Sequence, residues 1–158
     1  MSIRLAALAG ATFTSGLMAG LFFAYACSVM PGLAATDART LVGTMQSINR
    51  KILNGWFLAA FLGAPVLTAL AVALHLGDGP VLAWSVAALL AHLVMFGVTM
   101  RINVPLNNQL DAAGPVDRIG DLAAVRERFE GRWVRWNLVR TAASVAAFGA
   151  LVGAVLAD

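Results

Sequence analysis

Three groups of amide and guanidinium side chains interrupt an otherwise apolar sequence. Asn103 and Asn107 flank a proline in Arg101-Ile102-Asn103-Val104-Pro105-Leu106-Asn107. Trp133, Asn137 and Arg140 stand at i, i+4 and i+7, which places them on one face of a helix. Asn49, Arg50 and Asn54 occupy the matching place before another apolar run. Groups of this kind gathered at one depth form a polar mouth above an apolar cavity, the usual form of a small-molecule site. Each amide has an alternative use as a helix cap or an interhelical hydrogen bond. His92 lies deep in an apolar run, where an ionisable group marks a functional site by default. A neutral imidazole bonded to a Ser, a Thr or a backbone carbonyl is the other use of a residue so placed. His75 is expected at an interface.

The elements that carry these residues follow from charge placement. The 158 residues are 60% hydrophobic and 12% charged, with a mean hydropathy of +0.81. A soluble domain carries about 25% charge. No Asp, Glu, Lys or Arg occurs in 5–36, 52–77, 79–100 or 141–157. A helix crosses a bilayer with roughly 20 mostly apolar residues, in a range of about 17–25, and each stretch is long enough for that. The expectation is an all-α, antiparallel bundle of four transmembrane helices in one domain. Its spans run over about 5–30, 52–76, 81–100 and 136–157, with Arg140 near the start of the fourth.

Arg4 is the only Lys or Arg on the side of the termini. The other side holds Arg39, Arg50, Lys51, Arg101, Arg118, Arg126, Arg128, Arg132 and Arg135, with Arg140 at the boundary. The positive-inside rule places loops 31–51 and 101–135 in the cytoplasm and both termini outside an inner (plasma) membrane. The basic balance then reports topology and anionic lipid, not nucleic acid: the arginines of 126–140 come with no stacking platform.

Between the spans, Gly77-Asp78-Gly79-Pro80 reads as a tight turn. Residues 37–51 read as a short amphipathic helix through Leu41, Met45 and Ile48. Residues 116–135 read as a second, through Ile119, Leu122, Val125, Phe129 and Trp133, after a break at Asp111–Pro115. Pro65 should kink the second span, and Pro105 should open the backbone at Val104. Small-residue stripes (Gly16/Gly20/Ala24/Ser28, Gly55/Ala59/Gly63, Gly149/Gly153) let helices approach closely, within the bundle or at a homo-oligomer face. Trp56, Trp84, Trp133 and Trp136 fall near span ends, where interfacial anchoring is expected. One cysteine excludes an intrachain disulfide, and no His, Asp and Glu cluster suggests a metal site.

Several strings together resemble the anthrone oxygenase-like membrane family, long catalogued as a domain of unknown function. They are Ser28-Val29-Met30-Pro31-Gly32-Leu33, Met45-Gln46-Ser47-Ile48-Asn49-Arg50, Asn54-Gly55-Trp56-Phe57, Thr99 to Asn107, and Trp133 to Thr141. The likeness covers nearly the whole chain, in order. Asn-Val-Pro-Leu-Asn and Trp-x-x-Trp-Asn-x-x-Arg are its most specific parts.

The resemblance implies oxidation of an anthrone to an anthraquinone by O₂ without a bound cofactor. A deprotonated anthrone passes an electron to O₂ itself, so the protein supplies a base, donors for the oxyanion and a dry pocket. On that footing His92, Asn137 and Arg140 are the catalytic candidates, with His92 the only intramembrane base and Asp111 the nearest acid to the mouth. Asn49, Arg50, Asn54, Arg101, Asn103, Asn107, Trp133 and Trp136 are the substrate-binding candidates. Two other functions stay open at this stage. One is a non-catalytic subunit docking into a larger membrane complex through the glycine stripes; the other is a lipid- or quinone-binding module.

Overall fold

The computed structural model describes residues 2–158, and among them every regular element is helical. Five helices are distinguished: α1 (Ile3–Ala34), α2 (Ala38–Ile52), α3 (Gly55–Leu74), α4 (Gly79–Ala112) and α5 (Leu122–Ala157). Four of them, α1, α3, α4 and α5, are long and apolar enough to cross a membrane. They form an antiparallel bundle in which α1 packs on α3 and α5, and α4 packs on α5 and α3.

Side-chain caps start four of these helices, and three of the spans run further than the sequence suggested: α1 to Ala34, α4 to Ala112 and α5 from Leu122. Ser2, Asp37, Asn54 and Asp121 each accept a hydrogen bond from the backbone N–H three residues on. The Thr40 backbone N–H holds the Asp37 carboxyl below its usual range. That cap therefore stabilises α2 above the ordinary carboxylate pKa, and the contribution fades as the pH falls through the lowered one. Gly77 and Gly114 adopt positive φ at the α3–α4 turn and after α4. Asp37–Ile52 is the amphipathic segment expected, with Leu41, Val42 and Met45 buried beneath it.

Three expectations need correction. The second amphipathic helix is not separate: Val116–Arg118 forms a single 3₁₀ turn, and α5 then runs unbroken from Leu122 to Ala157. The Leu-, Ala-, Arg- and Glu-rich join favours helix, and Gly131 alone is too weak a breaker. Pro105 does not open the helix either. A π turn over Thr99–Asn103 precedes it, with the Val104 N–H bonded to the Thr99 carbonyl, and helix continues to Ala112. The same device occurs in α1, where a π turn over Tyr25–Val29 precedes Pro31. Widening the turn before each proline accommodates a ring that would clash with the preceding turn. Pro65 lies within α3, which is continuous around it. Finally, Trp133 is no interfacial anchor; it is 2% exposed in the core.

Packing differs along the bundle. Toward the termini the core is small and close-packed: Ala7, Leu8, Ala11, Ala71, Val81, Ala88, Ala150, Leu151 and Ala154. His75, expected at an interface, is fully buried there and bonds the Ala71 carbonyl and Asp158. Larger side chains fill the middle (Met18, Phe22, Phe61, Met95) and the arginine-rich end (Met30, Met45, Phe129, Trp133). At that end side chains tie loops to helices. Arg126 donates to the Ala34 and Thr36 carbonyls at the end of α1 and pairs with Glu130. Gln46 donates to the carbonyls of Leu110 and Gly114, and Arg39 pairs with Asp117.

The small-residue stripes are only partly used inside the bundle. Gly16 faces Phe148, Gly63 faces Thr14, and Gly153 lies under the Trp84 indole. A Cβ at Gly153 would sit 3.0 Å from that ring, whereas one at Gly149 meets nothing within 4 Å. Gly153→Ala is therefore expected to lower stability by about 1–2 kcal/mol through overpacking. Gly149→Ala should be neutral or slightly stabilising, and thermal unfolding in one detergent compares the two.

Candidate functional site

Between the aromatic middle layer and the arginine-rich end lies a cavity of about 430 Å³. That is within the roughly 300–1,000 Å³ of small-molecule sites. Its walls are mostly aromatic and aliphatic. Phe57 stacks on Phe61, and Phe61 on Phe96, each pair with ring centroids 5.3 Å apart. Phe22, Tyr25 and Trp133 add further rings from α1 and α5. Leu58, Leu62 and Met100 line the cavity and are also exposed on the outer surface. One wall therefore borders the apolar exterior of the bundle. Arg50, Asn108 and Asp111 lie at its polar mouth, where Arg50 and Asp111 pair at 3.2 Å across α2 and α4.

Arg140 is the outstanding group in this wall. It is 7% exposed, lines the cavity, and has no carboxylate partner among the described residues. Its Nε donates to Asn137 Oδ1 at 2.9 Å. The guanidinium lies 4.2 Å from the centre of the Phe22 ring and 5.0 Å from that of Trp133. Two ring faces offset part of the desolvation of the cation. They do not neutralise it, and the Nη atoms have no hydrogen-bond acceptor among the described residues.

Asn137 holds this arrangement. Its Nδ2 donates to the Phe22 carbonyl at 3.2 Å while its Oδ1 receives Arg140. One amide thus fixes α5 against α1 and aims the guanidinium. Asn49 also lines the cavity; it is 8% exposed and its Nδ2 is buried without a partner. Asn107 accepts from the Trp133 indole N–H at 2.8 Å, leaving its own Nδ2 without a partner among the described residues. Unsatisfied donors around an aromatic slot suit a planar ligand bearing carbonyl or anionic oxygens.

The sequence-derived candidates separate by placement. Asn49, Arg50, Asn107, Trp133 and Arg140 line the cavity, and Asn137 stands directly behind Arg140. Asn54 is the α3 cap and also donates to the Lys51 carbonyl. Asn103 is fully buried between α4 and α5, donating to the Trp133 carbonyl at 3.4 Å. Arg101 is exposed, and neither it nor half-buried Trp136 reaches the cavity.

His92 also lies outside the cavity, one turn beyond Phe96. Its Nε2 is 2.9 Å from Ser15 Oγ and its Nδ1 3.3 Å from Thr68 Oγ1. The Thr68 hydroxyl donates to the Ala64 carbonyl, so its oxygen accepts from Nδ1–H. Both ring nitrogens are thus engaged by hydroxyls of neighbouring helices. Among the described residues no three His, Cys, Asp or Glu side chains converge as a metal site would require.

Sequence reading passed over the aromatic walls and Tyr25. The signal for both is faint: Phe57 and Phe61 stand at i and i+4, and Tyr25 and Thr99 each lie six residues before a proline.

Four membrane-length helices around one aromatic, cation-bearing cavity define a multi-pass membrane bundle. The chain belongs to the anthrone oxygenase family, whose model matches residues 54–150. That stretch carries Asn107, Trp133, Asn137 and Arg140, while α1 and α2 lie outside it. Comparison with curated proteins and with solved structures gives no match.

Proposed function

We propose that the protein is a membrane-embedded oxygenase that binds a planar, enolisable aromatic such as an anthrone and delivers its anion to O₂. The observation that carries the reading is Arg140, a nearly buried cation without a counter-ion in an aromatic cavity. A buried charge is costly unless something compensates it. An oxyanion in the slot compensates it, and donors already in place stabilise that anion more than the neutral parent, which favours ionisation and hence reaction. Asn107 supplies an amide N–H group to a further ligand oxygen, and the phenylalanine stack supplies ring contact. Substrate and O₂ both partition into lipid, and they reach the cavity past Leu58, Leu62 and Met100. The bias of Lys and Arg toward the mouth orients it to the cytoplasm of a plasma (inner) membrane.

Turnover is the test. The protein in lipid nanodiscs, given an anthrone in air, should consume O₂ and form the quinone faster than empty nanodiscs do. Equal rates would remove the reading. Within it, His92 clamps α1, α3 and α4 and is not the base. His92→Leu should then cost about 1 kcal/mol of stability for lost hydrogen bonds and leave kcat unchanged. Loss of turnover in a folded His92→Leu variant would restore the histidine to the chemistry.

A further inference from the structure

Tyr25 is the only tyrosine in the chain. It opens the π turn of α1, is partly buried and lines the cavity. π turns inside α-helices occur frequently at functional sites. Its ring packs on Trp133 at 5.5 Å and 51°, the indole whose ring also lies 5.0 Å from the Arg140 guanidinium carbon. The hydroxyl has no hydrogen-bond partner among the described residues and is not one of the enclosed polar atoms, so it is accessible to a ligand.

The other titratable groups of the cavity are occupied. Arg50 on α2 and Asp111 on α4 pair with each other at the mouth, and the Arg140 guanidinium on α5 offers donors and no acceptor. The lining residues from α3 are all apolar, and those of the membrane-spanning part of α4 are Phe96, Thr99 and Met100. His92 is held by Ser15 and Thr68 outside the cavity.

We propose that Tyr25 is the proton-transfer residue of the oxygenation, an inference that rests on the function proposed above and names a catalytic group for it. Once the phenol ionises beside the Arg140 cation, as it does when the pH rises, Tyr25 Oη takes a proton from the methylene carbon of the bound anthrone. The C–H electron pair moves into the ring carbonyl, whose oxygen becomes the anion facing Arg140. That anion gives one electron to O₂, and the carbon radical and superoxide combine to form a C–O bond. The resulting peroxide anion takes the proton back from Tyr25, which regenerates the phenolate. The hydroperoxide then loses its remaining C–H proton and hydroxide as water, leaving a carbonyl. One anthrone and one O₂ give one quinone and one water, and Tyr25 ends as it began.

Two variants test this in nanodiscs. Tyr25→Phe should keep its affinity for the quinone product and lose about 10²-fold or more in kcat, the scale of general acid–base catalysis. Because the chain has a single tyrosine, growth on 3-fluorotyrosine changes this phenol alone. The more acidic phenol should move the acid limb of the pH–rate profile to lower pH without altering product binding. A merely structural tyrosine would not move that profile. Full kcat in Tyr25→Phe, or an unmoved profile with fluorotyrosine, overturns the assignment while leaving the oxygenase reading intact. Should Tyr25→Phe fail to fold, the fluorotyrosine profile decides. A wild-type protein without turnover overturns both.

Discussion

Arg140→Met is expected to lower kcat by about 10²–10³-fold, the cost of removing one oxyanion donor from a dry site. Its stability should stay level or rise. The two effects have opposite signs because the guanidinium is desolvated in the empty bundle. It is 7% exposed, faces two rings and has one hydrogen bond, from Nε to Asn137. Replacing a buried charge by a packed apolar side chain is often neutral, or stabilising by about 1–4 kcal/mol. Against that stands Asn137 Oδ1, which loses its donor at a cost of about 1–3 kcal/mol. The terms are of similar size, so the fold survives and only ligand handling is lost. Arg140→Lys separates charge from shape: it keeps the cation, but an ammonium lacks the fork that bonds Asn137 and still reaches the ligand. Its activity should fall between the two. Thermal unfolding and quinone formation on the same nanodisc preparation give both readings. A destabilised, fully active Arg140→Met would mean the arginine is structural.

Trp133→Ala should be the most damaging single change to the bundle. The indole is 2% exposed, packs on Tyr25 and Phe129, donates to Asn107, and lies beside Arg140. Removing such a side chain costs about 3–5 kcal/mol. The loss falls where the extension of α4 meets α5, because Asn103 and Asn107 both bond Trp133 there. Trp133→Phe keeps much of the ring volume and loses the hydrogen bond to Asn107, worth about 1 kcal/mol. It should fold, with weaker ligand affinity because phenylalanine offers a poorer cation–π face to Arg140. Denaturation midpoints in a mild detergent rank the three proteins. Comparable stability of Trp133→Ala and the parent would show that the indole lines the cavity without supporting it.

Legibility followed the physics of each signal. The four spans were readable because lipid excludes charge, so gaps between charged residues report helices directly. The Gly77 turn and the break before α5 at Gly114 were readable because their chemistry is local. The length of α5 was not, since Phe129 and Trp133 show the same periodicity whether their helix ends at Arg135 or continues. Pro105 misled for a related reason. A proline forbids a normal turn but permits a π turn, and only packing along both sides of the helix chooses between them.

Among the candidate residues, Trp133, Asn137 and Arg140 were legible as one helical face, which the structure keeps together. Asn103 and Asn54 share that residue chemistry but satisfy backbone groups instead. His92 looked functional by depth alone, and its partners Ser15 and Thr68 come from two other helices that no spacing rule connects. Tyr25 and the phenylalanine stack escaped because aromatic residues in a span are unremarkable until the helices are assembled.

Stabilisation of an aromatic oxyanion by Arg140 is visible directly when protein and an anthrone are mixed without O₂ and the absorption of the bound ligand is recorded. The expected spectrum shows the long-wavelength band of the anthrone anion at a pH where the free compound is neutral, its loss in Arg140→Met, and its discharge to quinone when O₂ is admitted. A ligand that binds in its neutral form, or an anion band of equal strength in Arg140→Met, would contradict it.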